Sequence, residues 1–237
     1  MEMYAYFVIN RRWGLRFWWE EVLGMPLLRV ELPRKKTTRT ESKLHRALYR
    51  LRVHQVLNHP PGWDADALPP LNATRPLWLA KASECALLLM NRKGIFPADA
   101  VVELRGNRFT PECRRFVTAL LPHVQGFHFA TPADEGLLWF LQREFGLSPI
   151  PRHGDLSVSF SPASPQADLP LGDQRPRIPG LELTADAVVC SGDCPMEPLL
   201  AALLEQGRLR KNDIDVHEIL LDIQYNNNYN ALDNVPL

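Results

Sequence analysis

Three short stretches put polar residues where a strand would hand over to a helix. They are Arg105-Gly106-Asn107-Arg108-Phe109-Thr110, Thr131-Pro132-Ala133-Asp134 and Ser191-Gly192-Asp193-Cys194. In an open parallel sheet, ligands bind outside the carboxyl ends of the strands, and free N–H groups at a helix start attract anions. A pocket built from these turns would carry Gly106, Arg108, Thr131 and Gly192 near its rim. Cys190 and Cys194 form a C-x₃-C pair, and a thiol at a helix start gains thiolate character from the dipole. The same two residues also suit plain packing, because cysteine is among the most buried residue types. A zinc site would need about four ligands, and only the distant Cys85, Cys113, His123, His128 and His153 could complete one, so no metal is assigned. No G-x-S-x-G, H-E-x-x-H or P-loop occurs, so no catalytic residue is named. Lys43, Arg46, Arg50 and His54 are spaced to form a basic ridge on a helix, which suits either solvation or a polyanion.

The elements that must hold these residues follow from hydrophobic periodicity. Tyr4–Ile9 reads as a buried strand. Leu15, Trp18, Trp19, Val22 and Leu23 have helical spacing, with Gly24 as the stop and Pro26 preventing continuation. Leu27–Leu32 is a second strand, and Thr40 can cap a helix reaching to about Leu57. A Pro- and Gly-punctuated connection covers 59–76, followed by a helix around 80–91.

The second half is more regular. Ala100–Leu104 is a strand, and Thr110-Pro111 caps a helix that buries Cys113, Phe116, Val117, Leu120 and Leu121. Phe127–Ala130 is a strand, and Thr131-Pro132 opens a helix with Leu137, Leu138, Leu141 and Phe145 inward, stopped at Gly146. Further strands are expected at Leu147–Pro151, Leu156–Phe160 and Ala185–Cys190, with irregular chain over 161–180. A helix with Leu199, Leu200, Leu203 and Leu204 ends at Gly207. The piece 213–223 fits a strand or a helix, and Tyr225–Asn230 reads as irregular.

Strand, short turn and capped helix, repeated, is the pattern of βαβ units and a parallel sheet. The expected fold class is α/β, with a Rossmann-like, mostly parallel sheet covered by helices on both faces and preceded by a smaller α/β part. The expected organisation is an N-terminal α/β part over 1–95, a Rossmann-like domain over 96–210 and a C-terminal segment over 211–237. Over roughly residues 98–206 the layout resembles the NAD(P)-binding domains of the shikimate dehydrogenase and glutamyl-tRNA reductase kind. The resemblance is one of organisation. The loop 105–110 has one glycine where the dinucleotide fingerprint has three, and the acidic residue at the end of the second strand is missing. The resemblance implies Gly106, Arg108 and Thr110 as phosphate contacts and NAD(P) as the cofactor class.

The chain has 237 residues, 46% hydrophobic, with 27 basic and 27 acidic side chains. The balance hides an asymmetry: residues 1–52 carry a net +7 and the remainder a net −7. No apolar run is long enough to span a bilayer. Tyr4–Ile9 lacks the preceding charges and cleavage site of a signal peptide. The four cysteines are expected as reduced thiols in a cytoplasm. Two functions stand at this level. One is a small-ligand protein, enzymatic or not, using a degenerate site at the strand ends. The other is a non-enzymatic interaction protein, a homodimer joined through its tail or an aromatic patch. Polyanion binding by the basic helix is a weaker third, with no recognised nucleic-acid motif behind it.

Overall fold

The computed structural model describes residues 3–10, 14–63, 68–105, 110–130, 135–162 and 166–218. The chain is a mixed α/β protein with two sheets that contain parallel strands and six helices among the described residues.

The first sheet is built from β1 (Met3–Asn10), β2 (Arg16–Val22), β3 (Met25–Pro33) and β4 (Val53–Val56), in the order β2-β3-β1-β4. β1 runs parallel to both neighbours, and β2 is antiparallel to β3. β1 is buried on both faces, as its apolar sequence demands. Tyr4 and Tyr6 face the main core, while Ala5 and Phe7 face a second cluster with Leu28, Val30, Leu32, Leu44 and Leu48. Helix α1 (Thr38–Arg50) supplies the last two.

Two local expectations change here. The helix read from Leu15, Trp18, Trp19, Val22 and Leu23 is strand β2, largely exposed up to Glu20 and buried at Val22. The reason lies in the turn. Leu23 and Gly24 both have positive φ (50° and 74°), the conformation of a tight type I′ hairpin, so pairing with β3 wins over helical spacing. Gly24 stops a helix or turns a hairpin with the same backbone freedom, so its presence alone does not choose. Helix α1 is capped by Thr37, whose hydroxyl accepts from the Thr40 N–H, with Thr40 closing the capping box. It ends at Arg50; Arg52 has φ of 52° and reverses the chain into β4, so the helix does not reach Leu57.

Helices α2 (Arg75–Ala80) and α3 (Ala82–Arg92) replace the single helix expected around 80–91 and meet at the buried Lys81, whose ammonium pairs with Glu84 at 2.9 Å. The second sheet contains β5 (Val101–Arg105), β6 (Gly126–Phe129), β7 (Leu156–Ser159) and β8 (Leu169–Pro170), in the order β6-β5-β7-β8, all parallel. Helix α4 (Pro111–Leu120) joins β5 to β6, and α5 (Glu135–Phe145) lies between β6 and β7. Val102, Leu104 and Phe127 share one core with Cys113, Phe116, Val117 and Leu120 of α4, and with Leu137, Phe140 and Leu141 of α5. The same core also takes Tyr4, Tyr6 and Leu27 of the first sheet.

The chain closes with β9 (Leu181–Thr184), helix α6 (Met196–Glu205) and β10 (Asp215–Glu218), the two strands forming an antiparallel ribbon. Two expected strands are missing from their predicted places. Leu147–Pro151 makes no ladder: Pro149 and Pro151 have no N–H, and only Ile150 reaches β6, its N–H donating to the Phe127 carbonyl at 2.8 Å. Ala185–Cys190 turns immediately, with the Val188 N–H on the Ala185 carbonyl at 2.9 Å. Val188 is buried and Val189 is 82% exposed, so the apolar letters pack without a partner strand. Of the ambiguous piece 213–223, Asp215–Glu218 is strand, while residues 219–223 and the tail Tyr225–Asn230 lie outside the described residues.

Candidate functional site

The carboxyl edge of the second sheet begins with Arg105, the last residue of β5. Its Nε–H donates to Glu103 Oε1 at 2.6 Å. Five residues on, Thr110 caps α4: its hydroxyl oxygen accepts from the Cys113 N–H at 3.2 Å, and Pro111 takes the first helical position. In the first turn, hydrogen bonds from its own N–H and from the Thr110 hydroxyl hold the Glu112 carboxyl below its ordinary range. The positive end of α4 therefore already faces one carboxylate of the chain. At the end of β7, the buried Ser159 hydroxyl donates to the Ser161 carbonyl at 2.9 Å, and the Leu171 N–H bonds the Ser159 carbonyl at 2.7 Å. Gly172 sits against the Ser161–Pro162 backbone with no room for a Cβ. Of the residues singled out in the sequence, Gly106, Arg108 and Thr131 lie outside the described residues, while Thr110 is in place as a cap.

On one face of β5 and β6 stands a group whose members lie far apart in the sequence. Glu103 and His128 are direct partners in the parallel register, so both side chains leave the sheet on the same side. His153, in the crossover that leads to β7, joins them; one donor atom from each of the three lies within 4.8 Å of the others. His128 Nδ1 is 3.0 Å from the Ile150 carbonyl. A carbonyl only accepts, so Nδ1 is the donor there, and Nε2 is the nitrogen left to act as a ligand. Glu103 is 6% exposed. Burial works to raise its carboxyl, but the hydrogen bond and charge of Arg105, with the Gly154 N–H and His128, together hold the group below its usual range. The one legible hint was chemical: Glu103 is the lone acid inside the run Val101-Val102-Glu103-Leu104, and a buried acid needs a partner. Nothing in the spacing could reveal that His128 and His153 supply its surroundings.

Gly192 belongs elsewhere in the fold. The strand expected to end at Cys190 is absent, and the turn that carries Gly192 is held to the first sheet. Tyr6 Oη lies 2.6 Å from Ser191 Oγ and 3.0 Å from each Glu20 oxygen, and Arg29 pairs with Asp193 at 3.1 Å. Burial pushes the Tyr6 phenol up to about 12; Ser191 works to lower it, and Glu20 adds to the rise. Cys194 runs against the helix-start expectation. Burial first, then the neighbouring Cys190, push its thiol well above the ordinary range, so it is a protonated packing residue. All four cysteines are free thiols.

The basic ridge is shorter than its spacing implied. Lys43, Arg46 and Arg50 are exposed on α1, but His54 sits in β4, because the helix stops before it. An open depression of about 460 Å³ at that corner is lined by Tyr49, Arg50, Arg52, Val53 and His54. No helix among the described residues is long and apolar enough to cross a membrane. No family model matches this chain, and no curated protein matches its sequence.

Proposed function

We propose that the chain is a Rossmann-like ligand-binding protein, taking a nucleotide or similar small anion at the carboxyl ends of β5 and its neighbours β6 and β7. The supporting observation is the strand order β6-β5-β7-β8. From β5 the chain passes to a neighbour on one side, β6, and then returns to the other side as β7, all three parallel. Such a reversal of direction is where open parallel sheets bind their ligands. Residues 106–109 join β5 to α4, and residues 131–134 join β6 to α5. The candidate contacts are therefore Gly106, Arg108, Thr110 and Thr131, with NAD(P) as the first class to test.

The test is thermal unfolding with NAD, NADP, their reduced forms, ATP and S-adenosylmethionine. A ligand at about 100 times its Kd adds about 2.7 kcal/mol to the native state. For a chain of this size that raises the midpoint by roughly 5–11 °C. One of these ligands is expected to give such a shift, and Arg108→Glu to remove it. No shift with any of them overturns the reading.

A second reading, a homodimer, is favoured by β2. This edge strand exposes Phe17 (36%), Trp18 (51%) and Trp19 (55%), an invitation to pairing that proteins usually avoid. Two copies joined antiparallel about Trp18 would set Arg16 opposite Glu20 of the other copy and Phe17 opposite Trp19, matching charge with charge and aromatic with aromatic. Sedimentation of the full chain should then show a dimer that Trp18→Lys converts to a monomer without loss of structure. A monomer at every concentration tested would dismiss it.

A further inference from the structure

We propose that Glu103, His128 and His153 form a binding site for one divalent transition-metal ion of the zinc, cobalt and iron class. The site is separate from the ligand reading above, standing on the sheet face rather than at the strand ends.

The fold brings the three together for identifiable reasons. Glu103 and His128 are side by side because β5 and β6 are parallel neighbours in that register. His153 reaches them because its neighbour is a glycine. The crossover passes directly over β5 at Gly154, where any Cβ would strike Glu103, so only glycine lets the backbone lie so close. The Gly154 N–H points at Glu103 Oε2 from 3.4 Å, and Asp155 then ties the crossover down, its own N–H on the Val101 carbonyl at 2.7 Å and its carboxylate on the Val101 N–H at 2.8 Å. His153 is exposed and His128 half-buried, so the site opens to solvent on one side while Glu103 closes the other.

The donor chemistry fits a metal. An ion at about 2.0–2.2 Å from nitrogen and oxygen donors holds them roughly 3–3.5 Å apart. Here the donor atoms stand within 4.8 Å of one another, a gap that a rotation of the exposed His153 ring can close. His128 already turns Nε2 toward the cluster's ligand role by engaging Nδ1 elsewhere. Its Nδ1–H is fixed by the Ile150 carbonyl at 3.0 Å, the kind of outer contact that orients ligating histidines. The His128 and His153 rings are set edge to face, 63° apart with centroids at 5.9 Å, so they are not stacked against each other. Two imidazoles with one carboxylate select borderline transition metals over calcium or magnesium. Three protein donors also leave positions for water or an exogenous ligand. Arg105, 2.6 Å from one Glu103 oxygen, keeps that carboxylate in place.

The experiment is a titration of the chelator-treated full-length protein with Co²⁺, read in the visible range. One equivalent is expected to bind and give d–d bands of nitrogen and oxygen coordination, and Zn²⁺ should displace it. His153→Ala changes only an exposed side chain, so circular dichroism should stay unchanged while Co²⁺ affinity falls at least about tenfold, the lower end of what even an outer-shell loss costs. His128→Gln should do the same. No binding, binding equal in wild type and His153→Ala, or a thiolate charge-transfer band that places the ion on the cysteines would each overturn the proposal. Because the probe is a metal alone, a failure here leaves the nucleotide shifts above to stand or fall separately.

Discussion

Replacing Trp78 with alanine is expected to lower the unfolding free energy by about 3–5 kcal/mol, the range for removing a buried tryptophan. Trp78 is 2% exposed and is the largest fully buried side chain among the described residues. It does more than fill space. Its indole N–H donates to Glu197 Oε1 at 2.6 Å, which fastens α2 to the first turn of α6. α2 is only six residues long and has no side-chain cap, so it depends on that packing rather than on its own propensity. Truncation leaves a cavity and strips Glu197 of its donor. Urea denaturation is the measurement, with the midpoint of heat unfolding falling by roughly 6–20 °C for a chain of this size. Trp78→Phe separates the two contributions: it keeps most of the ring volume and loses the hydrogen bond, so it should cost less than the alanine variant. A loss below about 1 kcal/mol for Trp78→Ala would be an ordinary surface value and would contradict the packing described.

Gly154→Ala is expected to destabilise by about 1–3 kcal/mol, the cost of overpacking a site with no room. The added methyl would overlap Glu103 Cβ and stand 2.6 Å from the Glu103 nitrogen and 2.9 Å from its Cα. These are atoms of the central strand β5, held by ladders to β6 and β7, so the crossover has to lift instead. The effect is steric and owes nothing to backbone conformation. Gly192→Ala is the matched control: nothing lies within 4 Å of its Cβ position, and stability should be unchanged. Lifting the crossover also carries His153 away from Glu103, so Gly154→Ala should weaken Co²⁺ binding as well. A stable Gly154→Ala protein, equal to Gly192→Ala in urea, would mean that the crossover is not seated on β5.

Strands β5 and β6 and helices α4 and α6 were legible because their sequences follow one design, whereas β8 and β9 fall where no strand was expected. Val101–Arg105 and Gly126–Phe129 are short apolar runs, and Thr110-Pro111 is a cap followed by the one residue suited to the first helical position. Leu199, Leu200 and Leu203 likewise announced α6, and Gly207 adopts the positive φ (66°) that ends it. The first half misled where one pattern served two structures. Trp18 and Trp19 fit a helical stripe as well as they fit an edge strand, and Gly24 suits both outcomes. The candidate site was the least legible part. Thr110 was recognisable by its local role, whereas Gly192 was placed by a strand, Ala185–Cys190, that forms no ladder among the described residues.

The division follows from the range of the forces involved. Capping, periodicity and proline chemistry act within a few residues, so the α/β class, the helix starts at Thr110 and near Leu199, and the buried strands β1 and β5 are encoded locally. Strand pairing acts across the chain. The edge strand at residues 16–22, the order β6-β5-β7-β8 and the shared face of Glu103, His128 and His153 come instead from long-range pairing. Fifty residues separate Glu103 from His153, and no local preference of either encodes their meeting. It is set by the register of two parallel strands and by the missing side chain at Gly154.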